Sequence, residues 1–203
     1  VLEWGSRSPY AKFFDIHWNS ADPALRGQCL APFLGGDYGD VLSSGDLQLR
    51  FDNQTGSFYA QYFAHHFPLY PPTYQAILVH SSSPILRELG DAFARLDGAS
   101  DAWEQARALN QTLRETLAEQ HLETALNTAL NYYAIDPSAD SEHTETQVQR
   151  LHKLLEQQNY RLASWRTAAR PRRMIASGML ASGRAAMLAA LAMCSRRLLV
   201  TGS

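Results

Sequence analysis

Ser83-Pro84-Ile85-Leu86-Arg87-Glu88-Leu89-Gly90-Asp91-Ala92-Phe93-Ala94-Arg95-Leu96-Asp97-Gly98 is the stretch at which the chain changes period. Ile85, Leu86, Leu89, Ala92, Phe93 and Leu96 recur at spacings of three and four, which is the signature of one apolar helix face. Ser83 can cap that helix, Pro84 suits its first position and Gly98 stops it. Working downstream, Ser100 can cap a second helix carrying Trp103, Ala106, Leu109, Leu113 and Leu117. A third carries Leu122, Ala125, Leu126, Ala129, Leu130 and Tyr133 and ends before Asp136-Pro137. Ser138 to His143 reads as a loop, after which Thr144-Glu145-Thr146-Gln147 has capping-box spacing and Val148, Leu151, Leu154 and Leu155 form the stripe of a fourth helix. Working upstream, Leu47, Leu49 and Phe51 alternate with Gln48 and Arg50, and Phe58, Ala60 and Tyr62 alternate with Tyr59 and Gln61. Asp52 to Gly56 supplies turn residues between them, so residues 47–63 read as a β-hairpin. The fold class is therefore α+β and helix-dominated, with four or five amphipathic helices on a small antiparallel sheet.

Residues 1–45 are rich in Pro, Gly and Asp between short apolar runs and read as loops with short strands. Residues 1–80 then form a loop and hairpin part, and residues 83–158 a helical part, of one body ending near residue 169. Tyr160 to Trp165 reads as a short buried segment.

Of the 203 residues, 45% are hydrophobic and 19% charged, ordinary globular usage that excludes collagen, coiled coil and wholesale disorder. A net charge of −2 gives no electrostatic ground for nucleic acid as a partner. The 2 cysteines, Cys29 and Cys194, are too few for a disulfide framework or a cysteine zinc site. With no long apolar run and no signal-peptide pattern, the expectation is a soluble, cytoplasmic protein without a membrane partner.

Residues 170–203 differ from the rest. They hold all four methionines, no aromatic, no Asp or Glu, and six arginines (Arg170, Arg172, Arg173, Arg184, Arg196, Arg197). All 20 acidic residues and the remaining 12 of the 18 basic ones precede them, giving −8 on residues 1–169 and +6 on the tail. With Val1 in first place rather than Met, this reads as a piece of a larger protein with a tail from a shifted frame or a vector. Residues 184–199 have helical composition, and such a helix is expected to dock on its own domain or a second copy rather than on a membrane surface.

Catalytic constellations are absent. His65-His66 cannot easily share one metal ion, because neighbours on a strand point to opposite faces. They read as polar loop or edge-strand residues, Glu142-His143 as solvated loop, and His152 as a boundary residue beside a helix stripe. Ser81-Ser82-Ser83 lacks a nucleophile elbow, and Leu34-Gly35-Gly36-Asp37-Tyr38-Gly39 lacks the spacing of a phosphate loop. No metal or cofactor is expected. What remains is a set of aromatics (Tyr10, Phe13, Phe14, Trp18, Tyr38, Tyr59, Tyr62, Phe67, Tyr70, Tyr74) interleaved with Asp15, His17, Asp37, Asp40 and His66. Flat rings with polar groups between them suit sugars, although any single aromatic belongs first to the core.

Several blocks resemble the maltooligosyltrehalose synthases of the α-amylase superfamily. They are Val1-Leu2-Glu3-Trp4-Gly5, Ser8-Pro9-Tyr10-Ala11-Lys12-Phe13-Phe14-Asp15-Ile16-His17-Trp18, Leu30-Ala31-Pro32-Phe33-Leu34-Gly35, Tyr38-Gly39-Asp40-Val41-Leu42, Gly45-Asp46-Leu47-Gln48-Leu49, His65-His66-Phe67-Pro68-Leu69 and the run from Leu151 to Arg166. They are collinear over residues 1–169. His17 stands where that family usually has Asp, and Cys29 where a basic residue is expected. The resemblance implies a (β/α)8-barrel parent that converts the reducing-end α-1,4 bond of a maltooligosaccharide to an α,α-1,1 bond, in trehalose biosynthesis. This chain would correspond to the insertion after the third barrel strand. Phe14, Asp15, Trp18, Tyr38, His66 and Pro68 would contact the maltooligosaccharide. The chemistry needs two carboxyl groups about 5–5.5 Å apart, and the family carries them beyond Arg166, where this sequence departs into its tail. The isolated chain is therefore expected to be inactive, with no catalytic residue of its own. The alternative is a structural or interaction module that self-associates, as a homodimer, through an exposed barrel-facing surface and the tail.

Overall fold

In the structure, a computed structural model that describes residues 1–168, the hairpin forms as its alternation dictates. Three short 3-10 turns (Gly5–Arg7, Ala11–Phe13, Pro23–Leu25) precede strand β1 (Cys29–Leu34) and helix α1 (Tyr38–Ser43). Strands β2 (Leu47–Asp52), β3 (Ser57–Tyr62) and β4 (His65–Pro68) follow. A 3-10 turn (Pro71–Thr73) leads into α2 (Tyr74–Leu78), α3 (Pro84–Ala94), α4 (Ala102–Glu119), α5 (Glu123–Asn131) and α6 (Ser141–Glu156). Strand β5 (Tyr160–Ser164) and the short α7 (Trp165–Ala168) complete the described chain. The architecture is α+β and rich in helix, as the periodicity predicts. The reading of residues 170–203 lies outside the described residues.

Two separate sheets are present among the described residues. In the antiparallel one, ordered β2-β3-β4, Leu47 faces Tyr62, Leu49 faces Ala60 and Phe51 faces Phe58. These inward residues are buried or half-buried, while Gln48 and Arg50 face solvent. β4 is an edge strand, which accommodates His65-His66 as one inward and one outward residue. The second sheet pairs β1 with β5 in parallel, Cys29 opposite Tyr160 and Ala31 opposite Leu162. This pairing is the main addition to the sequence reading, since a ladder between strands so far apart in the chain leaves no local signal.

The helices bury the stripes that defined them. Leu86 and Phe93 of α3, Leu113 of α4, Ala129 of α5 and Leu151 of α6 are wholly buried in one core with Leu47, Phe58, Tyr74, Ile77 and Tyr160. Each such large apolar side chain contributes roughly 1.5–3 kcal/mol on burial.

Several local expectations are corrected. α6 begins at Ser141, so Glu142 and His143 lie in its first turn rather than in a loop. Asp140 is the cap, its carboxylate accepting from the His143 N–H at 2.9 Å. Thr144 and Gln147 do not cap each other. Both reach back to Asp136, the Thr144 hydroxyl donating to its C=O at 3.2 Å and Gln147 Oε1 accepting from its N–H at 2.9 Å. α4 starts after Asp101 rather than Ser100, and Ser83 holds the N-cap position of α3 without a side-chain capping bond. Proline at the first position has no N–H to satisfy, which lowers the need for one. In the loop-rich first segment, Tyr38–Ser43 is helical. Trp165, read as the end of a buried segment, is 49% exposed.

Gly56 closes the β2–β3 turn at φ +69, where a Cβ would stand 2.1 Å from the backbone oxygen of Asn110 on α4. Gly56→Ala is expected to lose about 2–4 kcal/mol, by left-handed strain and by forcing the turn off α4. A fall in the urea midpoint with unchanged m-value checks it. A second expectation concerns Gln158, whose side chain is 1% exposed and whose Oε1 accepts from the Tyr70 N–H at 2.7 Å. Gln158→Leu leaves that N–H buried without a partner and should cost about 1–3 kcal/mol in the same measurement.

Candidate functional site

The pleat of the antiparallel sheet sorts its residues into two faces. On the outer one, Tyr59 stands between Arg50 and Pro68, and Gln61 between Gln48 and His66. The Tyr59 and His66 rings lie 4.5 Å apart between centroids and are tilted by 38°. Arg50 donates from its guanidinium to Gln48 Oε1, and Gln61 Nε2 donates to the Phe63 C=O at 3.2 Å. His66 is exposed, while Tyr59, Gln61 and Pro68 are half-buried. The result is a shallow platform with two ring systems at its centre, bordered by amide and guanidinium groups. It offers stacking surface and hydrogen-bond donors and no carboxylate pair.

Two of the expected site residues, His66 and Pro68, therefore share this face. Phe14, Asp15 and Trp18 lie together in the N-terminal segment instead. Phe14 follows the Ala11–Phe13 turn and is half-buried, as is Trp18, and Asp15 is exposed. Beside them Tyr10 is 56% and Phe13 71% exposed, with Lys12 Nζ 5.3 Å from the Phe13 ring centre. Of the other aromatics considered for sugar contact, Tyr62, Phe67, Tyr70 and Tyr74 are core residues. Tyr74 accepts from the Phe58 N–H at 3.2 Å, and Tyr70 donates to Asp97 Oδ1 at 2.9 Å while receiving a bond from Arg7.

Tyr38 occupies a third place, at the start of α1. It lines a cleft of about 90 Å³ with His152, Leu155, Glu156, Tyr160, Arg161 and Leu162. Burial, and secondarily the Glu156 charge, push its hydroxyl up to about 12. It keeps its proton and shares a hydrogen bond with His152 Nδ1 at 3.1 Å. On the other side of the ring, His152 Nε2 faces Glu156 Oε2 at 3.7 Å. Glu156 is in turn paired with Arg161 at 3.2 Å, whose Nε donates to Gln28 Oε1 at 3.0 Å. The order tyrosine, histidine, carboxylate has the outline of a nucleophilic relay. Its electrostatics oppose that role, because the hydroxyl is harder to ionise than usual and the carboxylate is already neutralised by a guanidinium. The cleft is also well below the roughly 300–1,000 Å³ of ligand pockets. The network joins α1, α6, β5 and the segment before β1.

Among the described residues no group of three or more His, Cys, Asp or Glu could hold a metal ion. Cys29 is pushed up to about 11, chiefly by burial, and is an inert thiol. Among the described residues no helix is long and apolar enough to cross a membrane. No known protein family, curated protein or solved structure matches the chain.

Sequence reasoning passed over Gln48, Arg50 and Gln61 as site residues. Their signal was present in the alternation, which puts them on the polar face with Tyr59. What it lacked was the register that brings β4 beside them.

The Tyr38 hydroxyl titrates at about 10 in an unfolded chain and at about 12 in the fold. A raised folded value means that its contribution is fully present below pH 10 and is lost as pH rises through about 12. Tyr70 and Tyr133, also at about 12, act in the same sense. Stability measured by urea unfolding should fall between pH 10 and 12, and Tyr38→Phe should make that fall shallower without abolishing it. An unchanged slope would contradict the placement of Tyr38.

Proposed function

We propose that this chain is a non-catalytic, glucan-contacting part of an enzyme resembling the maltooligosyltrehalose synthases, which rearranges the reducing-end α-1,4 bond of maltooligosaccharides. The observation that carries the reading is the outer sheet face, where the Tyr59–His66 ring pair is bordered by Gln48, Arg50 and Gln61. Sugar rings present C–H faces that pack on flat aromatics and hydroxyls that accept from amide and guanidinium donors. The exposed aromatics around Phe14, Asp15 and Trp18 supply a second, separate contact of the same kind. Neither surface carries the paired carboxyl groups that glycosyl transfer requires. The chemistry of the reaction is therefore assigned to polypeptide outside residues 1–168, and these surfaces to holding the glucan chain.

One observation favours a second role, in assembly. The β1–β5 ladder has only two strands among the described residues, although parallel strands are normally covered on both faces. Leu30 on β1 is 45% exposed and Trp165, just after β5, is also exposed. Such a ladder is suited to extension by a strand from the rest of a parent enzyme or from a second copy.

Titrating the full chain with maltopentaose while recording amide spectra separates these roles. Saturable shifts at Tyr59, Gln61 and His66, absent with glucose, are expected. Tyr59→Ala should weaken binding about fivefold, corresponding to the ~1 kcal/mol of one aromatic contact. The chain alone should leave the reducing ends of maltopentaose unchanged. Silence on the sheet face, together with a concentration-dependent dimer in sedimentation, would replace the glucan reading by the assembly one.

A further inference from the structure

On the side of α6 away from the Tyr38 network, a cleft of about 170 Å³ is lined by His80, Tyr132, Tyr133, Arg150, Lys153, Leu154 and Gln157. His80 lies just past α2, the two tyrosines just past α5, and the basic pair on the C-terminal half of α6. The His80 and Tyr132 rings are stacked, 3.4 Å between centroids and 14° between planes. The Arg150 guanidinium carbon sits 4.3 Å from the Tyr132 ring centre. Several polar groups of the lining are already committed. The Tyr133 hydroxyl donates to the Ala76 C=O at 2.8 Å, and Gln157 Nε2 donates to the Lys153 C=O at 3.0 Å.

The charged and chargeable side chains that remain are His80, Arg150 and Lys153, and no carboxylate lines the cleft. The acids nearby are engaged elsewhere. Glu156 faces His152 and Arg161, Glu145 accepts from Gln149, and Asp140 caps the helix and meets His143. Cationic groups lining one cleft repel each other unless an anion stands among them, and the His80 imidazole is held below its ordinary value, first by burial and then by the Arg150 charge.

We propose that this cleft is an oxyanion site that takes one phosphate group, with Arg150 and Lys153 as its cationic arms and His80 as a further donor. A guanidinium presents a fork of N–H groups matched to two phosphate oxygens, and a lysine ammonium adds a point charge. The volume suits a single tetrahedral group and falls short of the roughly 300–1,000 Å³ needed for a larger ligand. Stacking of a ligand ring is closed off because His80 already covers the Tyr132 face. The phosphate is either a free anion or the end of a small monoester. This inference stands independently of the glucan reading.

The test uses the full chain at constant ionic strength, with inorganic phosphate and glycerol 3-phosphate as probes and chloride as the control. Saturable shifts of the Arg150 side-chain N–H and the His80 ring are expected. The His80 titration midpoint should rise by about one unit when phosphate is bound, since an anion favours the imidazolium. Arg150→Ala should weaken binding about tenfold, and Lys153→Gln, at an exposed position that leaves the fold intact, about two- to fivefold. Tighter binding of glycerol 3-phosphate identifies the monoester as the natural form, and tighter binding of inorganic phosphate the free anion. Shifts no larger than those with chloride, a static His80 midpoint, or equal affinity in Lys153→Gln would overturn the proposal.

Discussion

The buried amide of Gln158 is the point at which the separately formed parts of the chain meet. Its Oε1 accepts from the Tyr70 N–H at 2.7 Å, its Nε2 donates to the Leu154 C=O at 2.6 Å and approaches the Thr73 hydroxyl at 3.4 Å, and its own C=O accepts from Gln28 Nε2 at 2.7 Å. One residue thus ties the end of α6 to the turn before α2 and to the segment leading into β1. A primary amide has two donors and a carbonyl with two lone pairs, so it can satisfy several backbone groups within the core. An apolar side chain of the same size would fill the space and leave the Tyr70 N–H unpaired.

Its neighbour extends the junction. Asn159 donates from Nδ2 to the Glu3 C=O at 2.8 Å, and its C=O accepts from the Cys29 N–H at 3.0 Å, the bond that leads into the parallel ladder. Gly5, at φ +56, fits here because a Cβ would meet the Asn159 side chain at 2.9 Å. The N-terminal segment, β1 and β5 are therefore held through contacts spanning most of residues 1–168. Closing so long a loop costs entropy that local helices and the hairpin do not incur, so β1–β5 pairing is expected to follow their formation.

That division also explains what could be read in advance. The hairpin and the helices α3 to α6 are written in periodicity, with Leu49, Phe58, Leu86, Phe93, Leu113 and Leu151 at the positions each pattern demands. β5 was visible only as an apolar patch, because its partner lies more than a hundred residues away. Start signals were misplaced where two caps compete: Asp140 binds the His143 N–H and so begins α6 four residues before Thr144 could. For the site, aromatic composition offered Tyr59, with His66 among the polar residues between the rings, but could not group them, and Pro68 came only from the family resemblance. His66 and Pro68 came together because they alternate on one strand, whereas Phe14, Asp15, Trp18 and Tyr38 belong to other parts of the fold.

The three polar assemblies differ in a way that bears on chemistry. In the Tyr38–His152–Glu156–Arg161 chain each group faces a partner, and the carboxylate and guanidinium cancel, which is the condition for a structural network. The outer sheet face and the His80 cleft present donors and cations, and Asp52, which shares that sheet face at its turn end, is engaged by the Gln54 N–H and the Thr55 hydroxyl, each at 2.8 Å. Amide and guanidinium donors can hold a hydroxyl or an anion but cannot remove a proton from it or attack it. Donors of this kind suit the two surfaces to holding a hydroxyl or an anion.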